Sequence, residues 1–315
     1  MPTRLIRSLY NVTERERGGV ITIGNFDGVH LGHQALIKKA KDKAQALGVP
    51  SIVLTFEPHP FEFFAREKQT IPRLTRLREK YGVLAQLGVD NVLVLYFNQS
   101  VARLDASTFC EKILYQALKP AALFVGDDFH FGAGRKGNIA LLQEAGKRYG
   151  FTAEAIETVL FQGERISSTR VRHALKAGDH ALVKQLLGRR YSMMGRVCPG
   201  DQLGRQLGFP TANIHLHRHL TPVMGIYTVT LHGIAEHPLP GVANVGIRPT
   251  VNGTRTLLEV HLLDFNQDIY GRYVTVQFCE KLRDEERYPN LKRLQEQIAK
   301  DVIAARHYFK KQSVL

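Results

Sequence analysis

The first half of the chain alternates short, continuously apolar runs with longer segments whose apolar residues recur at helical spacing. The runs are rich in β-branched residues and bounded by turn residues, as is typical of strands buried on both faces of a sheet. They occupy residues 20–23, 51–56, 91–96, 121–125 and 152–156. The segments between them predict helices that begin near residue 30 and cover residues 75–87, 105–117 and 139–149. This alternation predicts a doubly wound α/β domain with a parallel sheet.

The pattern changes in the second half. A helix ending near residue 177 and another over residues 180–187 precede a short linker at 189–192. Beyond the linker, strand-like runs separated by turns occupy residues 195–198, 212–217, 226–232, 241–245, 257–265 and 273–278. Closely spaced strands without intervening helices predict a small antiparallel β-barrel. A closing helix is predicted over residues 291–308, with an apolar side formed by Leu291, Leu294, Ile298, Val302 and Ile303.

Length and composition are consistent with two domains, which we predict to be residues 1–187 and 188–315. The formal net charge of +14 is compatible with binding of nucleic acid, with phosphorylated ligands or with a merely basic surface. The Lys and Arg residues are scattered and form no single basic block, so the charge does not decide between these alternatives. The three cysteines are far apart and form no C-x-x-C motif, so neither a disulfide framework nor a zinc site is supported. We expect a soluble cytoplasmic protein, because the N-terminus lacks the apolar core of a signal peptide and no run approaches membrane-spanning length.

The strongest candidate site is residues 24–33, GNFDGVHLGH, which follow the first predicted strand. The segment predicts a strand, a tight turn and then a helix with His30 and His33 on one face of its first turn. A helix N-terminus offers free N–H groups and the positive end of the dipole, so the site suits phosphate. Alone, an H-x-G-H tetrapeptide is also consistent with an ordinary helix start. In this context it resembles the nucleotidyltransferase superfamily, which transfers the AMP part of ATP.

Two more loops leave predicted strands at the same edge of the sheet, where doubly wound domains bind ligands. One is the Pro-rich loop EPHPFEFF at residues 57–64, and the other is GDDFHFGAGRKGN at residues 126–138. Further on, ISSTRVR at residues 166–172 places Ser and Thr hydroxyls at a helix start with Arg170 and Arg172 one turn later. This arrangement predicts a second phosphate cradle, although an N-cap alone also explains it.

Two features of the predicted barrel are candidates for a chemical role. Residues 204–213, GRQLGFPTAN, end in an extended segment where Thr211 and Asn213 point to the same side. Their oxygens are hard donors suited to Mg²⁺ with bound phosphates. Glu259 stands in the alternating strand LLEVHLLDF, where a carboxylate needs a partner or a task. The alternative for residues 204–213 is a turn followed by a strand, and the alternative for Glu259 is a salt bridge or a solvent-facing position.

GNFDGVHLGH, FEPHPFEFF, GDDFHFG and ISSTRVR, in this order, resemble the adenylyltransferase half of the prokaryotic bifunctional riboflavin kinase/FMN adenylyltransferase family, also called FAD synthetases. The resemblance implies a Rossmann-like nucleotidyltransferase fold in which His30, His33 and Arg172 act on the ATP phosphates. It implies that Asp128 and Phe129 lie beside FMN. The remaining ATP contacts that it implies are Gly24, Phe26, Asp27, Gly28, Ser168 and Thr169. His130 departs from the family pattern, which more often has an arginine there.

GRQLGFPTAN, GVANVGIRPT and LEVHLLDFNQDIYG resemble the riboflavin kinase half of the same family, so the resemblance covers essentially the whole chain. It implies that Thr211 and Asn213 serve Mg²⁺ and ATP. Glu259 would be the base that deprotonates the ribityl 5′-hydroxyl. The loop containing LRDEERYPN would close over the flavin, with Arg283 as a flavin contact. The other ATP contacts implied in this half are Gly208 and Pro210.

The resemblance implies two reactions that both use ATP, riboflavin to FMN in the barrel, with Mg²⁺, and FMN to FAD in the α/β domain. The expected partners are these small molecules, with no nucleic acid or membrane, and the chain is expected to be a monomer or a weak homo-oligomer. One alternative is an adenylyltransferase for nicotinate nucleotide or phosphopantetheine with an unrelated barrel. The other is a nucleic-acid-binding module, which would need aromatic and basic residues interleaved on one barrel face.

Overall fold

The computed structural model describes residues 2–65, 71–200, 203–218, 220–250 and 253–312. The chain divides into two compact units. The first unit comprises Met1–Ile71 and Thr75–Ser168, and the second comprises Pro72–Leu74 and Thr169–Leu315. Within the described ranges, the helices include none that is long and apolar enough to cross a membrane.

The first unit is built around a six-stranded parallel sheet, as the sequence predicts. Its strands are β1 (Arg4–Arg7), β2 (Val20–Ile23), β3 (Ser51–Glu57), β4 (Asn91–Tyr96), β5 (Ala122–Gly126) and β6 (Thr152–Ile156). The order across the sheet is β1-β4-β3-β2-β5-β6, so it reverses between the neighbouring strands β2 and β5. In doubly wound sheets, ligands bind beyond the carboxyl ends of the strands at such a reversal.

Helices cover both faces of this sheet. They are α1 (Leu31–Leu47), α2 (Pro60–Phe64), α3 (Leu77–Gln86), α4 (Gln99–Arg103), α5 (Ala106–Thr108), which continues as a π-helical segment (Phe109–Leu118), and α6 (Ile139–Tyr149). A small hairpin of β7 (Leu160–Phe161) and β8 (Glu164–Arg165) follows β6. Because successive strand residues point to opposite faces, Val53 packs in the core under α1 and α3, while Ile52 and Leu54 pack under the π-helical segment and α6.

Two elements at the periphery of the sheet differ from the sequence-based prediction. β1 pairs with β4 at the sheet edge, although Arg4–Arg7 has only two apolar residues, which lie between two arginines. The Pro-rich segment after β3 contains helix α2, because Pro60 occupies the first helical position and the His59 side chain caps the helix by accepting from the Phe61 N–H. Both elements are short, so neither has a strong periodic signal.

The second unit contains the predicted antiparallel barrel. Its strands are β9 (Ser192–Cys198), β10 (Ala212–His215), β11 (Gly225–His232), β12 (Leu239–Thr250), β13 (Gly253–Leu262) and β14 (Tyr273–Arg283). They close in the order β10-β13-β12-β11-β14-β9, and every neighbouring pair is antiparallel. The helices are α7 (Ser168–Ala177), which begins on the last residue of the first unit, α8 (His180–Leu187), α9 (Leu203–Gln206) and α10 (Leu291–Lys311).

The closing helix α10 is present, and its predicted apolar side is partly buried. Leu294, Ile298 and Val302 are half-buried, whereas Leu291 and Ile303 are exposed. The fully buried residues of the helix are Asp301, Ala305 and Phe309. Asp301 is buried because its carboxylate forms a two-point ion pair with the Arg283 guanidinium, with N···O distances of 2.7 and 3.0 Å. A pattern that counts only apolar residues does not include this charged member of the contact face.

His180, at the start of α8, gives the second unit an expected sensitivity to acid. Its ring packs edge-on against Tyr227, and neither ring nitrogen has a hydrogen-bond partner among the described residues. Burial, with a smaller contribution from Lys281, lowers the pKa of His180 to about 4. Between the unfolded pKa of about 6.5 and this value, only the unfolded chain takes up the proton, so stability falls as pH falls, by about 1.4 kcal/mol per pH unit.

We therefore expect His180→Leu to gain stability relative to the wild type as the solution is acidified from about pH 7 to about pH 5. Urea unfolding of both proteins at the two pH values measures this difference. Other buried histidines contribute equally to both proteins, so their contributions cancel in the difference between the two unfolding free energies. A gap in unfolding free energy that stays the same at both pH values would contradict the assignment.

Candidate active sites

The first candidate site is the turn between β2 and α1, and its backbone is strained. Phe26, Gly28 and Val29 have φ angles of 47°, 81° and 43°. A left-handed conformation is unfavourable for a β-branched residue such as Val29, so the surrounding structure must hold it. Phe26 and Val29 are completely buried, which anchors the turn from below.

Hydrogen bonds fix the same turn from two sides. The Asp27 carboxylate, which is buried, accepts from the Thr75 N–H at 2.9 Å, and the Thr75 hydroxyl accepts from the Gly28 N–H at 2.9 Å. The Ser168 hydroxyl donates to the Asp27 carbonyl at 2.8 Å. The buried ammonium of Lys80 donates to the Asn25 carbonyl at 2.6 Å. The predicted residues Asp27, Gly28 and Ser168 therefore lie together, as parts of the turn's support.

The two predicted histidines meet as expected. His30 caps α1, since its Nδ1 accepts from the His33 N–H at 3.3 Å. The two rings stack with centroids 3.6 Å apart, and the Phe26 ring meets His33 edge-on at 5.1 Å. Gly32 permits this arrangement, because a Cβ there would lie 3.2 Å from the His30 ring. A neutral His30 that accepts at Nδ1 has its proton at Nε2, which makes Nε2 a donor.

The electrostatics around His33 favour an anionic ligand. Burial, and then the electrostatic effects of His30, Lys80 and Arg165, hold the pKa of His33 well below its usual value. Its Nδ1 is buried without a hydrogen-bond partner in the described part of the chain. A neutral imidazole surrounded by cationic groups at a helix N-terminus is suited to donate a hydrogen bond to phosphate.

The loop after β5 lies at the neighbouring strand end. Asp128, a predicted flavin contact, is exposed and forms an ion pair with Arg165 at 2.7 Å. Burial raises the pKa of Asp128, but the hydrogen bond and the charge of Arg165 outweigh this effect. The net result is a lowered pKa, so the carboxyl group stays ionised. Phe129, the other predicted contact, is half-buried and stacks on Phe131 at 5.6 Å. The loop therefore has an apolar anchor and an exposed charged end.

An exposed aromatic group occupies the same edge of the sheet. Phe97 follows β4 and contacts the rings of Phe56, Phe63 and Phe64 at 5.8, 5.3 and 5.7 Å. The Phe64 side chain is 65% exposed and that of Phe61 is 55% exposed. Aromatic faces of this kind suit a planar ring system.

The two remaining predicted residues of the phosphate cradle belong to the second unit. Thr169 and Arg172 follow Ser168 on α7. The Arg172 Nε donates to the Pro72 carbonyl at 2.8 Å, which orients the guanidinium. Gly24, the first residue after β2, packs against the Phe26 ring, where an added Cβ would lie 3.3 Å from that ring.

In the second unit, Thr211 and Asn213 lie against two glycines. A Cβ on Gly204 would lie 3.3 Å from the Thr211 Oγ1, and one on Gly200 would overlap the side-chain amide of Asn213. Thr211 and Asn213 are half-buried. The two side chains and the glycine backbone form a polar cradle, and its hard oxygen donors are of the kind that suits Mg²⁺ with a phosphate group. Gly208 allows the approach to this segment by adopting a φ of 84°.

Glu259 is placed beside this cradle by the barrel register. It lies directly opposite Asn213 on β10 and opposite Asn244 on β12. Residues directly opposite each other in antiparallel strands point to the same face, so the three polar side chains form a row. Their neighbours Leu258 and Val260 are fully buried. The Asn244 Oδ1 is buried and has no hydrogen-bond partner among the described residues, which marks the row as a polar site.

Arg283, the predicted flavin contact, has a clear structural role. Its guanidinium holds Asp301 of α10, and its Nη1 donates to the Asp284 carbonyl at 3.0 Å. The residue therefore ties the end of β14 and the loop after it to the closing helix.

Sequence reasoning missed several residues that support the first site. Lys80 and Thr75 lie on or before α3 and reach back to the turn, and Arg165 lies on β8. Lys80 stands in a helix that reads as an ordinary amphipathic segment, so nothing in its neighbourhood distinguishes it from a surface lysine. Arg165 directly precedes the ISSTRVR segment, so its closeness in sequence to a candidate phosphate site was the signal that could have identified it.

The fold defines the class of protein: a nucleotidyltransferase-like α/β unit is followed by a closed antiparallel β-barrel of six strands. The family model for FAD synthetase matches residues 12–170, and that for riboflavin kinase matches residues 187–309. The chain belongs to the bifunctional riboflavin kinase/FMN adenylyltransferase family. This membership, like the fold class, confirms the resemblance found in the sequence.

Relatives that are described as bifunctional riboflavin kinase/FMN adenylyltransferases match over nearly the whole chain. The protein of Escherichia coli K12 is 48% identical, covering 97% of this chain and 98% of its own length. The Pseudomonas fluorescens protein is 49% identical, covering 96% and 97%. A solved structure from Streptococcus pneumoniae, described as a macrolide-efflux protein, is 28% identical with a TM-score of 0.82 and covers 97% of this chain and 99% of its own.

Proposed function

We propose that this chain makes FAD from riboflavin in two ATP-dependent steps. The second unit transfers the γ-phosphoryl group of ATP to riboflavin, giving FMN and ADP. The first unit transfers AMP from a second ATP to FMN, giving FAD and pyrophosphate. The observation that supports this most directly is that two separate groups of side chains suited to phosphate, the His30/His33 turn and the Thr211/Asn213 cradle, each lie within the match to the corresponding family model.

The adenylyl transfer proceeds by direct displacement. An FMN phosphate oxygen attacks the α-phosphorus of ATP, the bond to the β-phosphate bridging oxygen breaks, and pyrophosphate leaves. The chain needs no nucleophile of its own for this step. His30 and His33 donate N–H groups to the phosphates, and Arg172 adds a permanent positive charge. Gly24, Phe26, Asp27 and Gly28 form the turn that presents the two histidines, and Ser168 and Thr169 contribute at the start of α7.

We also assign Arg165, which the sequence alone did not identify, to the adenylyl-transfer site. Its charge acts on His33, and its guanidinium pairs with Asp128. It therefore links the phosphate-binding turn to the loop that we assign to FMN. We assign Asp128 and Phe129 to this FMN site, and the exposed rings of Phe61 and Phe64 offer the flavin ring a further apolar surface.

In the kinase site, Glu259 accepts the proton of the ribityl 5′-hydroxyl as that oxygen attacks the γ-phosphorus and ADP leaves. General base catalysis of this kind contributes about 10²–10⁴-fold. Thr211 and Asn213 would hold Mg²⁺, which supplies neutralisation of the phosphate charge when bound. Gly208 and Pro210 shape the ATP loop that leads to these donors. We assign Arg283 to the flavin side of the site, where it holds the loop after β14.

We place the boundary between the two catalytic domains between residues 187 and 188. The match to the riboflavin kinase family model begins at residue 187, whereas the compact units divide between Ser168 and Thr169. We also propose a cytoplasmic monomer or weak homo-oligomer that binds small-molecule substrates and neither nucleic acid nor membranes. Three free cysteines, Cys110, Cys198 and Cys279, are consistent with a reducing compartment.

A time course of the flavin products tests the proposal. The purified protein is incubated with riboflavin, excess ATP and Mg²⁺, and the flavins are separated by chromatography. We expect FMN to appear first and FAD afterwards. Replacing riboflavin by FMN is expected to give FAD without a lag, because the first step is bypassed.

Two results would overturn the proposal in different ways. Accumulation of FMN without FAD would refute the adenylyltransferase assignment of the His30/His33 site. Unchanged riboflavin would refute the kinase assignment. In either case nicotinate mononucleotide and phosphopantetheine are the next substrates to supply, since the same turn serves other adenylyltransferases.

A further inference from the structure

His261 lies next to the kinase site, and neither the sequence analysis nor the proposed mechanism uses it. It is two residues beyond Glu259 on β13, so both side chains point to the same face of the barrel. Its Nδ1 lies 2.9 Å from the Pro210 carbonyl oxygen. Its ring meets the Phe209 ring edge-on, with centroids 5.5 Å apart. One side chain therefore contacts two consecutive residues of the loop that leads to Thr211.

The hydrogen bond defines the protonation of the ring. A carbonyl oxygen can only accept, so the His261 Nδ1 has the proton and donates it. Pro210 has no N–H of its own, and its carbonyl lies outside the β10 ladder, whose paired residues with β13 begin at Ala212. The His261 side chain on the neighbouring strand β13 thus supplies the hydrogen-bond donor for this carbonyl.

The bond also fixes the direction of the next peptide group. The Pro210–Thr211 peptide is trans, and in a trans peptide the C=O and N–H point in opposite directions. Holding the Pro210 carbonyl toward His261 therefore turns the Thr211 N–H away from it. The same constraint sets the position from which the Thr211 hydroxyl projects beside Gly204.

We propose that His261 is a positioning residue of the riboflavin kinase site, which holds the Pro210–Thr211 peptide in the orientation that binds the ATP phosphates. This inference rests on the kinase function proposed above. His261 acts through the loop and contacts neither flavin nor the transferred phosphoryl group. Its loss should therefore impair ATP use and leave riboflavin use almost unchanged.

Two substitutions separate the hydrogen bond from the packing. His261→Phe keeps a ring against Phe209 but removes the donor, and His261→Asn places an amide N–H near the position of Nδ1. We expect the phenylalanine variant to raise the KM for ATP in FMN formation about tenfold, the factor that corresponds to one lost hydrogen bond of about 1.4 kcal/mol. The KM for riboflavin should stay within about twofold, and the asparagine variant should recover most of the loss.

His232→Phe is the matched control. His232 is also a histidine on a barrel strand, but its Nε2 lies 3.2 Å from the Thr230 Oγ1 and it has no described contact with the ATP loop. We expect its kinase constants to match the wild type. Conversion of FMN to FAD, measured in every variant, should also be unchanged.

The inference is overturned if His261→Phe has a wild-type KM for ATP, if the asparagine variant is as impaired as the phenylalanine variant, or if the KM for riboflavin rises in parallel. A parallel rise would mean general damage to the barrel. Failure of the underlying function is distinguishable from all of these, because the wild-type protein itself would then leave riboflavin unphosphorylated.

Discussion

Replacing His30 by alanine is expected to reduce the conversion of FMN to FAD by about 10²–10³-fold, the usual effect of removing one donor that stabilises a developing charge. The phosphorylation of riboflavin by the same protein should continue at the wild-type rate. The reason is structural: His30 stacks on His33 at the strained turn of the first unit, and the kinase residues lie on the barrel of the second. Separate assays with FMN and with riboflavin as the starting flavin measure the two activities.

His30 is also the cap of α1, so the alanine variant needs a companion. His30→Asn keeps a side-chain acceptor for the His33 N–H but removes the Nε2 donor. We expect both variants to lose adenylyl transfer equally, whereas only the alanine variant should lose the stability of the cap, about 1 kcal/mol. If the asparagine variant were as active as the wild type, His30 would be a structural cap only.

The second large effect is expected for Glu259→Gln. The amide keeps the size of the side chain and removes the base, so FMN formation should fall by about 10²–10⁴-fold. FAD formation from supplied FMN should be unchanged, because Glu259 belongs to the barrel row with Asn213 and Asn244. The measurement is the initial rate of each step with saturating ATP and Mg²⁺.

Glu280→Gln is the matched control for this experiment. Glu280 lies on β14 of the same barrel and is exposed, and its carboxylate is not part of the polar row. Its rate of FMN formation should equal that of the wild type. A Glu259→Gln protein that still phosphorylates riboflavin at the wild-type rate would exclude Glu259 as the base.

The sequence predicted most of the architecture because that information is local. Most strands of the first unit are rich in apolar residues and are therefore visible in the sequence, and β4, α6 and β6 have the predicted bounds. The meeting of His30 and His33 was also predictable, since residues three apart at a helix start share a face.

The rest depends on long-range contacts that a linear pattern does not contain. Lys80 supports the turn from more than fifty residues away in sequence, with a separation of 55 to Asn25. Asp301 is buried because Arg283, 18 residues earlier, neutralises it. In both cases a charged side chain is buried, and only the partner that it reaches explains its burial.

The neutral His33 has a thermodynamic consequence for substrate binding. Its pKa is lowered because the ring is buried and because of the electrostatic effects of His30, Lys80 and Arg165. A phosphate bound beside His33, as proposed, would bring a negative charge to the ring and would therefore raise the pKa of His33. Binding of ATP and uptake of a proton would then be linked equilibria, each favouring the other by the same free energy. Phosphate binding at this site is therefore expected to tighten as the pH falls through the pKa that His33 has with phosphate bound.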